Sequence, residues 1–91
     1  MIASIRHKGL RELFETGRSA AVPPQLRKRC INLLEVLEEA ENLGDLSWPG
    51  FGTHPLHKKP PRYAMSVSGA WRITFQFEKG NALLVDLEQY H

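Results

Sequence analysis

The apolar residues of this chain change their period at one place. Upstream of "DLSWPGFG" (residues 45–52) they recur every three or four positions, and downstream they recur at every second position. A helix repeats every 3.6 residues and a strand every two, so no single element type satisfies both halves. After its opening residues the chain must form helices up to that point and strands beyond it, and bury the apolar side of one against the other.

From Gln25 to Leu43 the apolar residues fall at 26, 30, 33, 34, 37 and 40. That spacing predicts an amphipathic helix, with Gly44 as its C-cap. Pro23 and Pro24 stand where a helix begins. Before them, "KGLRELFETG" predicts a shorter helix with Leu10, Leu13 and Phe14 on one face and Gly17 as its stop. The opening "MIASIRH" alternates weakly and predicts a short first strand. Cys30 lies on the apolar stripe of the long helix, where a thiol serves as a small core residue rather than a nucleophile.

In "RYAMSVSGAWRITFQFEKGNALLVDLE" the odd positions are Tyr63, Met65, Val67, Trp71, Ile73, Phe75, Phe77, Leu83, Val85 and Leu87. The even positions include Arg62, Ser66, Arg72, Thr74, Gln76 and Asp86. Strands with one apolar and one polar side form an antiparallel sheet covered on one face only. "SGAW" predicts a tight hairpin with Gly69 at the first central position of a type II′ turn, and "EKGN" a second turn. The expected fold is α+β: a single domain over residues 1–91, ordered β-α-α-β-β-β, with two helices packed on the odd face of a curved sheet. The even face is expected to stay open.

The single cysteine excludes an intramolecular disulfide and suits a reducing compartment. "MIASIRHKGLRELFETG" holds no apolar run of signal-peptide length, and no stretch is long and apolar enough to span a membrane, so a cytoplasmic location is expected. The net charge of +2 conceals an uneven distribution. Between Cys30 and His57 stand Glu35, Glu38, Glu39, Glu41 and Asp45 with no Lys or Arg. From Phe51 to Phe77 the bias reverses, to Lys58, Lys59, Arg62 and Arg72 with no acid. An acid-free basic stretch is what a polyanion-binding surface requires, because nearby carboxylates would cancel its field.

The even face carries Arg62 and Arg72 on neighbouring strands. The loop "GTHPLHKK" leads into it, and "QYH" follows the last strand. His54, Lys58 or Lys59, Arg62, Arg72, Tyr90 and His91 are therefore expected to converge on one surface. No HExxH, paired cysteines, magnesium-type carboxylate cluster, phosphate loop or dinucleotide fingerprint is present, so no metal or cofactor is expected. Histidines beside arginines suit metal-free cleavage of RNA, in which the 2′-hydroxyl attacks its own phosphate. The protein then supplies a base, an acid and positive charge for the phosphorane. Each residue also has a plain structural reading: Arg62 and Arg72 could form cross-strand ion pairs with Glu78 or Asp86.

"HPL", the basic stretch after it and "SVSGAWRITFQFEKGNALLVDLEQYH" closely resemble the HigB-like toxins of the RelE/ParE superfamily, and "IRHKGLRELFETG" resembles the start of the same family. The resemblance covers nearly the whole chain. It implies a RelE-like fold and the toxin half of a type II toxin–antitoxin module, a ribosome-dependent endonuclease that cuts messenger RNA at A-site codons. It also implies a HigA-like helix-turn-helix antitoxin as partner, with operator DNA bound through that antitoxin. By position it puts His54, Tyr90 and His91 in the catalytic site and Lys58, Lys59, Arg62 and Arg72 on phosphate. Where the family often ends in "DYH", this chain has Gln89, and Glu88 is expected to point to the opposite face. That departure predicts weakened cleavage, and a gain on Gln89→Asp. Two other readings keep the fold: a ParE-like gyrase poison, and a toxin that binds its antitoxin without cutting.

Overall fold

A computed structural model describes residues 1–90. Two helices, α1 (Lys8–Thr16) and α2 (Pro24–Glu39), precede an antiparallel meander of four strands: β1 (His54–Leu56), β2 (Arg62–Ser68), β3 (Trp71–Glu78) and β4 (Asn81–Gln89). This is the α+β arrangement that the change of period requires. All six apolar positions of the α2 stripe, Leu26, Cys30, Leu33, Leu34, Leu37 and Ala40, are buried. They pack with Leu10 and Leu13 of α1 and with Met65, Ile73, Phe75, Val85 and Leu87 of the sheet in one core. Phe14, expected on the same face of α1, is 37% exposed.

Helix α2 stops earlier than its pattern suggests. Asp45 accepts from the backbone of Glu41 at 2.9 Å and of Asn42 at 3.3 Å, and Asn42 accepts from Asp45 N at 3.1 Å. These two short polar side chains form a capping box that starts a separate 3₁₀ turn, Leu43–Leu46. Gly44 lies inside that turn instead of capping α2. Gly17 does end α1, its N–H donating to Leu13 O at 2.8 Å. Gly69, with φ 55, opens the β2–β3 turn as a type II′ turn demands.

The expected first strand is reduced to two isolated parallel bridges to β4, Ile2 with Ala82 and Ile5 with Val85. The ladder cannot run on between them because β4 bulges at Leu84, a non-glycine residue with φ 50. Leu84 N instead bonds the side chain of Ser4 at 2.8 Å. The same bulge shifts the pairing, so that Gln76 faces Leu83 while Thr74 faces Asp86. Leu83 therefore belongs to the polar side and Ala82 to the core, a reversal of the expected parity. In exchange, "HPL" is a strand, not a loop: β1 pairs with β2 at the sheet edge, where Pro55 loses no ladder bond.

Candidate functional site

Residues directly opposite one another on paired strands share a face. One rung of the helix-free side runs His54, Ala64, Thr74, Asp86, and the next runs Ser66, Arg72, Glu88. Arg62 lies on the same side, opposite Leu56. The expected grouping of His54, Arg62 and Arg72 on one face is thus what the register builds.

That face is not uniformly open, as the sequence suggested. Arg62 is 8% exposed, and Thr74 and Ala64 are fully buried. The Arg62 side chain lies along the sheet, donating through Nη2 to Thr74 Oγ1 at 3.0 Å and to the Leu84 carbonyl at 3.1 Å. Its Nη1 is buried with no hydrogen-bond partner among the described residues. The Thr74 hydroxyl in turn donates to Glu88 Oε2. Arg72 turns toward the β2–β3 turn, donating to Gly69 O at 2.6 Å and Trp71 O at 2.9 Å. Neither arginine forms a direct ion pair with Glu78 or Asp86. Among the described residues the ion pair present is Arg6 with Asp86 at 4.0 Å.

Tyr90 continues the end of β4, its N–H donating to Ala70 O at 2.8 Å. Burial raises its phenol above the ordinary value of 10.0, and Glu88 pushes the same way. The Arg62 and Arg72 charges oppose the rise without cancelling it. At neutral pH the phenol is therefore protonated and able to donate.

His54 is exposed at the edge of the same face. Its Nδ1 lies 3.1 Å from Gly52 O. A carbonyl only accepts, so Nδ1 carries the hydrogen, and in the neutral ring Nε2 is left as a bare acceptor. Gly52 holds this position closely: a Cβ there would fall 2.5 Å from Ser66 Oγ. Lys58 and Lys59 are exposed in the β1–β2 turn, beyond the Arg62 end of the sheet and away from Tyr90. His91 lies outside the described residues.

The structure thus sets His54, Arg62 and Arg72 on one face, with Tyr90 continuing β4 past Glu88, and leaves the lysine pair beyond the opposite end. Two residues were missed as site members, Thr74 and Glu88. Glu88 and Gln89 do point to opposite faces, but it is Glu88 that shares a rung with Arg72, while Gln89 faces Trp71 on the other side. The signal was present, since Asp86, Glu88 and Tyr90 have one parity. The gain expected from Gln89→Asp loses its geometric basis, because position 89 is turned from the arginines. Cys30 is fully buried with its thiol pushed up to about 11, as a core residue should be.

The chain resembles known proteins along its whole length. It is 39% identical over 92 residues to the Endoribonuclease HigB of Proteus vulgaris, covering 100% of both chains. Residues 3–91 match the HigB-like toxins, described as RelE-like toxins of type II toxin-antitoxin systems. The period change, the basic face of the meander and this match agree, and the chain belongs to the HigB-like toxin family of type II toxin–antitoxin systems.

Proposed function

We propose that this toxin cleaves messenger RNA in the ribosomal A site by metal-free attack of a 2′-hydroxyl on the adjacent phosphate. Endoribonuclease chemistry follows from the family and from the full-length similarity to an endoribonuclease. A type II toxin has an antitoxin as its partner. The observation that carries the RNA reading is the alignment of His54, Arg62 and Arg72 along one face that leads to Tyr90, where no carboxylate pairs directly with either arginine among the described residues.

In this reading His54 Nε2 takes the proton of the 2′-hydroxyl, because Nδ1 is engaged with Gly52 O. Arg62 and Arg72 supply the positive charge that the phosphorane needs, and partial burial strengthens their field. Tyr90 or His91 protonates the departing 5′-oxygen. Lys58 and Lys59 act farther out, holding the RNA backbone beyond the reacting phosphate. The antitoxin is proposed to be a HigA-like helix-turn-helix protein that brings the pair to operator DNA. Both act in the cytoplasm, where the ribosome is.

Induced expression of wild type and of His54→Ala in bacteria lacking the antitoxin, with transcript 5′ ends mapped, tests the proposal. Growth arrest with in-frame cuts in translated messages, lost in the variant, is the expected result. Arrest without cuts, accompanied by loss of supercoiling, would replace it with gyrase poisoning. No arrest at all would leave the chain an antitoxin-binding protein without cleavage.

A further inference from the structure

We infer that Thr74 is a spacer: its hydroxyl holds the Glu88 carboxylate off the Arg62 guanidinium, so that Arg62 keeps its charge for an RNA phosphate. The inference rests on the RNA-cleavage reading and deepens it by assigning two positioning residues, Thr74 and Glu88, on strands β3 and β4.

Arg62 is a buried cation whose contacts in the structure are neutral, a hydroxyl and a carbonyl. Burying an ionised group without a counter-charge is unfavourable, and proteins ordinarily resolve it with a direct carboxylate pair. The carboxylate for such a pair is at hand. Glu88 faces the same side of the sheet and is linked to Arg62 through a single hydroxyl. What intervenes is Thr74 Oγ1.

A hydroxyl has one hydrogen and two lone pairs. Thr74 spends its hydrogen on Glu88, so only a lone pair is left to face Arg62, which then donates to it. The arrangement satisfies both neighbours while keeping them apart. Arg62 Nη1 remains without a partner among the described residues. Strand propensity does not demand this residue, since Val would fit the buried position between Ile73 and Phe75 as well or better. The hydroxyl is what Val lacks. A phosphate brought to this face supplies the counter-charge that Glu88 is prevented from giving.

Thr74→Val removes the spacer with little change of shape, and lets Glu88 close onto Arg62. Two readings are compared: cleavage of a defined message on programmed bacterial ribosomes, and fluorescence binding of a 2′-O-methyl RNA oligonucleotide, which cannot be cut. Thr74→Val is expected to raise the half-saturating concentration about tenfold in both, with one fewer phosphate contact in the salt dependence. Thr74→Ser restores it. The double variant Thr74→Val/Glu88→Gln also recovers, because an amide cannot neutralise Arg62, and a purely structural role for Thr74 would give no such rescue. Wild-type affinity in Thr74→Val, or a double variant no better than Thr74→Val, overturns the inference. Should Thr74→Val fail to fold, Thr74→Ala and Thr74→Ala/Glu88→Gln give the same comparison. Wild-type protein that binds the oligonucleotide but cuts no message would end the cleavage reading alone, and the binding arm would still decide on the spacer. Wild-type protein that does neither would end both.

Discussion

Arg62 Nη2 lies 3.1 Å from the carbonyl oxygen of Leu84, two strands away, and Leu84 is the residue whose φ of 50 forms the bulge in β4. The left-handed backbone at Leu84 accompanies both the presentation of that carbonyl to Arg62 and the change of pairing that puts Asp86 opposite Thr74. A β-branched residue tolerates such a backbone badly.

Leu84→Val is therefore expected to destabilise the protein by about 1–2 kcal/mol. Leu84→Gly is expected to cost less, the reverse of the order at an ordinary strand position. Urea denaturation of the three proteins measures the order, and Leu84→Val more stable than Leu84→Gly would show that the bulge does not constrain this residue.

Arg62→Lys keeps a charge but not the planar fork that reaches Thr74 and Leu84 together. Cleavage of ribosome-bound message is expected to fall at least about tenfold, with the circular dichroism spectrum unchanged. Equal activity would mean that charge alone matters at this position.

Tyr90→Phe is expected to lower cleavage about a hundredfold, the usual scale for loss of a proton donor. The phenol itself can be followed by its ultraviolet absorbance. Because Glu88 raises the Tyr90 value, Glu88→Gln should lower the titration midpoint, and because Arg62 pulls it down, Arg62→Ala should raise it. Midpoints that do not move in these directions would separate Tyr90 from the charged groups.

Cys30 should resist alkylation by iodoacetamide in the folded protein and react once it is unfolded, since it is fully buried. Its thiol is raised from 9.0 to about 11, chiefly by burial, with Arg29 opposing. Above 9.0 the unfolded chain loses this proton and the folded chain keeps it. The folded state then binds more protons, and stability falls as pH rises. The loss begins near 9, is complete near 11, and amounts to roughly 2–3 kcal/mol. Cys30→Ala, although it leaves a small cavity, should show a flatter decline across that window.

The parts of the fold that could be read from the chain were those set by local repetition. The stripe from Leu26 to Ala40 and the alternation through β2 and β3 each encode a buried face several times over, so a misplaced residue is outvoted. The end of α2 was not legible, because Asn42 and Asp45 compete with the helix through their own backbone contacts, and nothing in the apolar spacing records that. The bulge at Leu84 was hidden for a related reason: one inserted residue inverts parity without altering composition. The site divides the same way. Arg62 and Arg72 follow from parity, whereas the strand that carries His54 and the Thr74–Glu88 link needed the cross-strand register to be seen.

The pairing of Ile2 and Ile5 with Ala82 and Val85 of β4 joins parts of the sequence that lie far apart. Each of these bridges closes a loop of more than seventy residues. Strand β4 carries Glu88 and leads into Tyr90, and its bulge supplies the carbonyl that holds Arg62. The face that carries the proposed site is thus completed through contacts of the longest sequence separation, the kind that is slowest to form in folding.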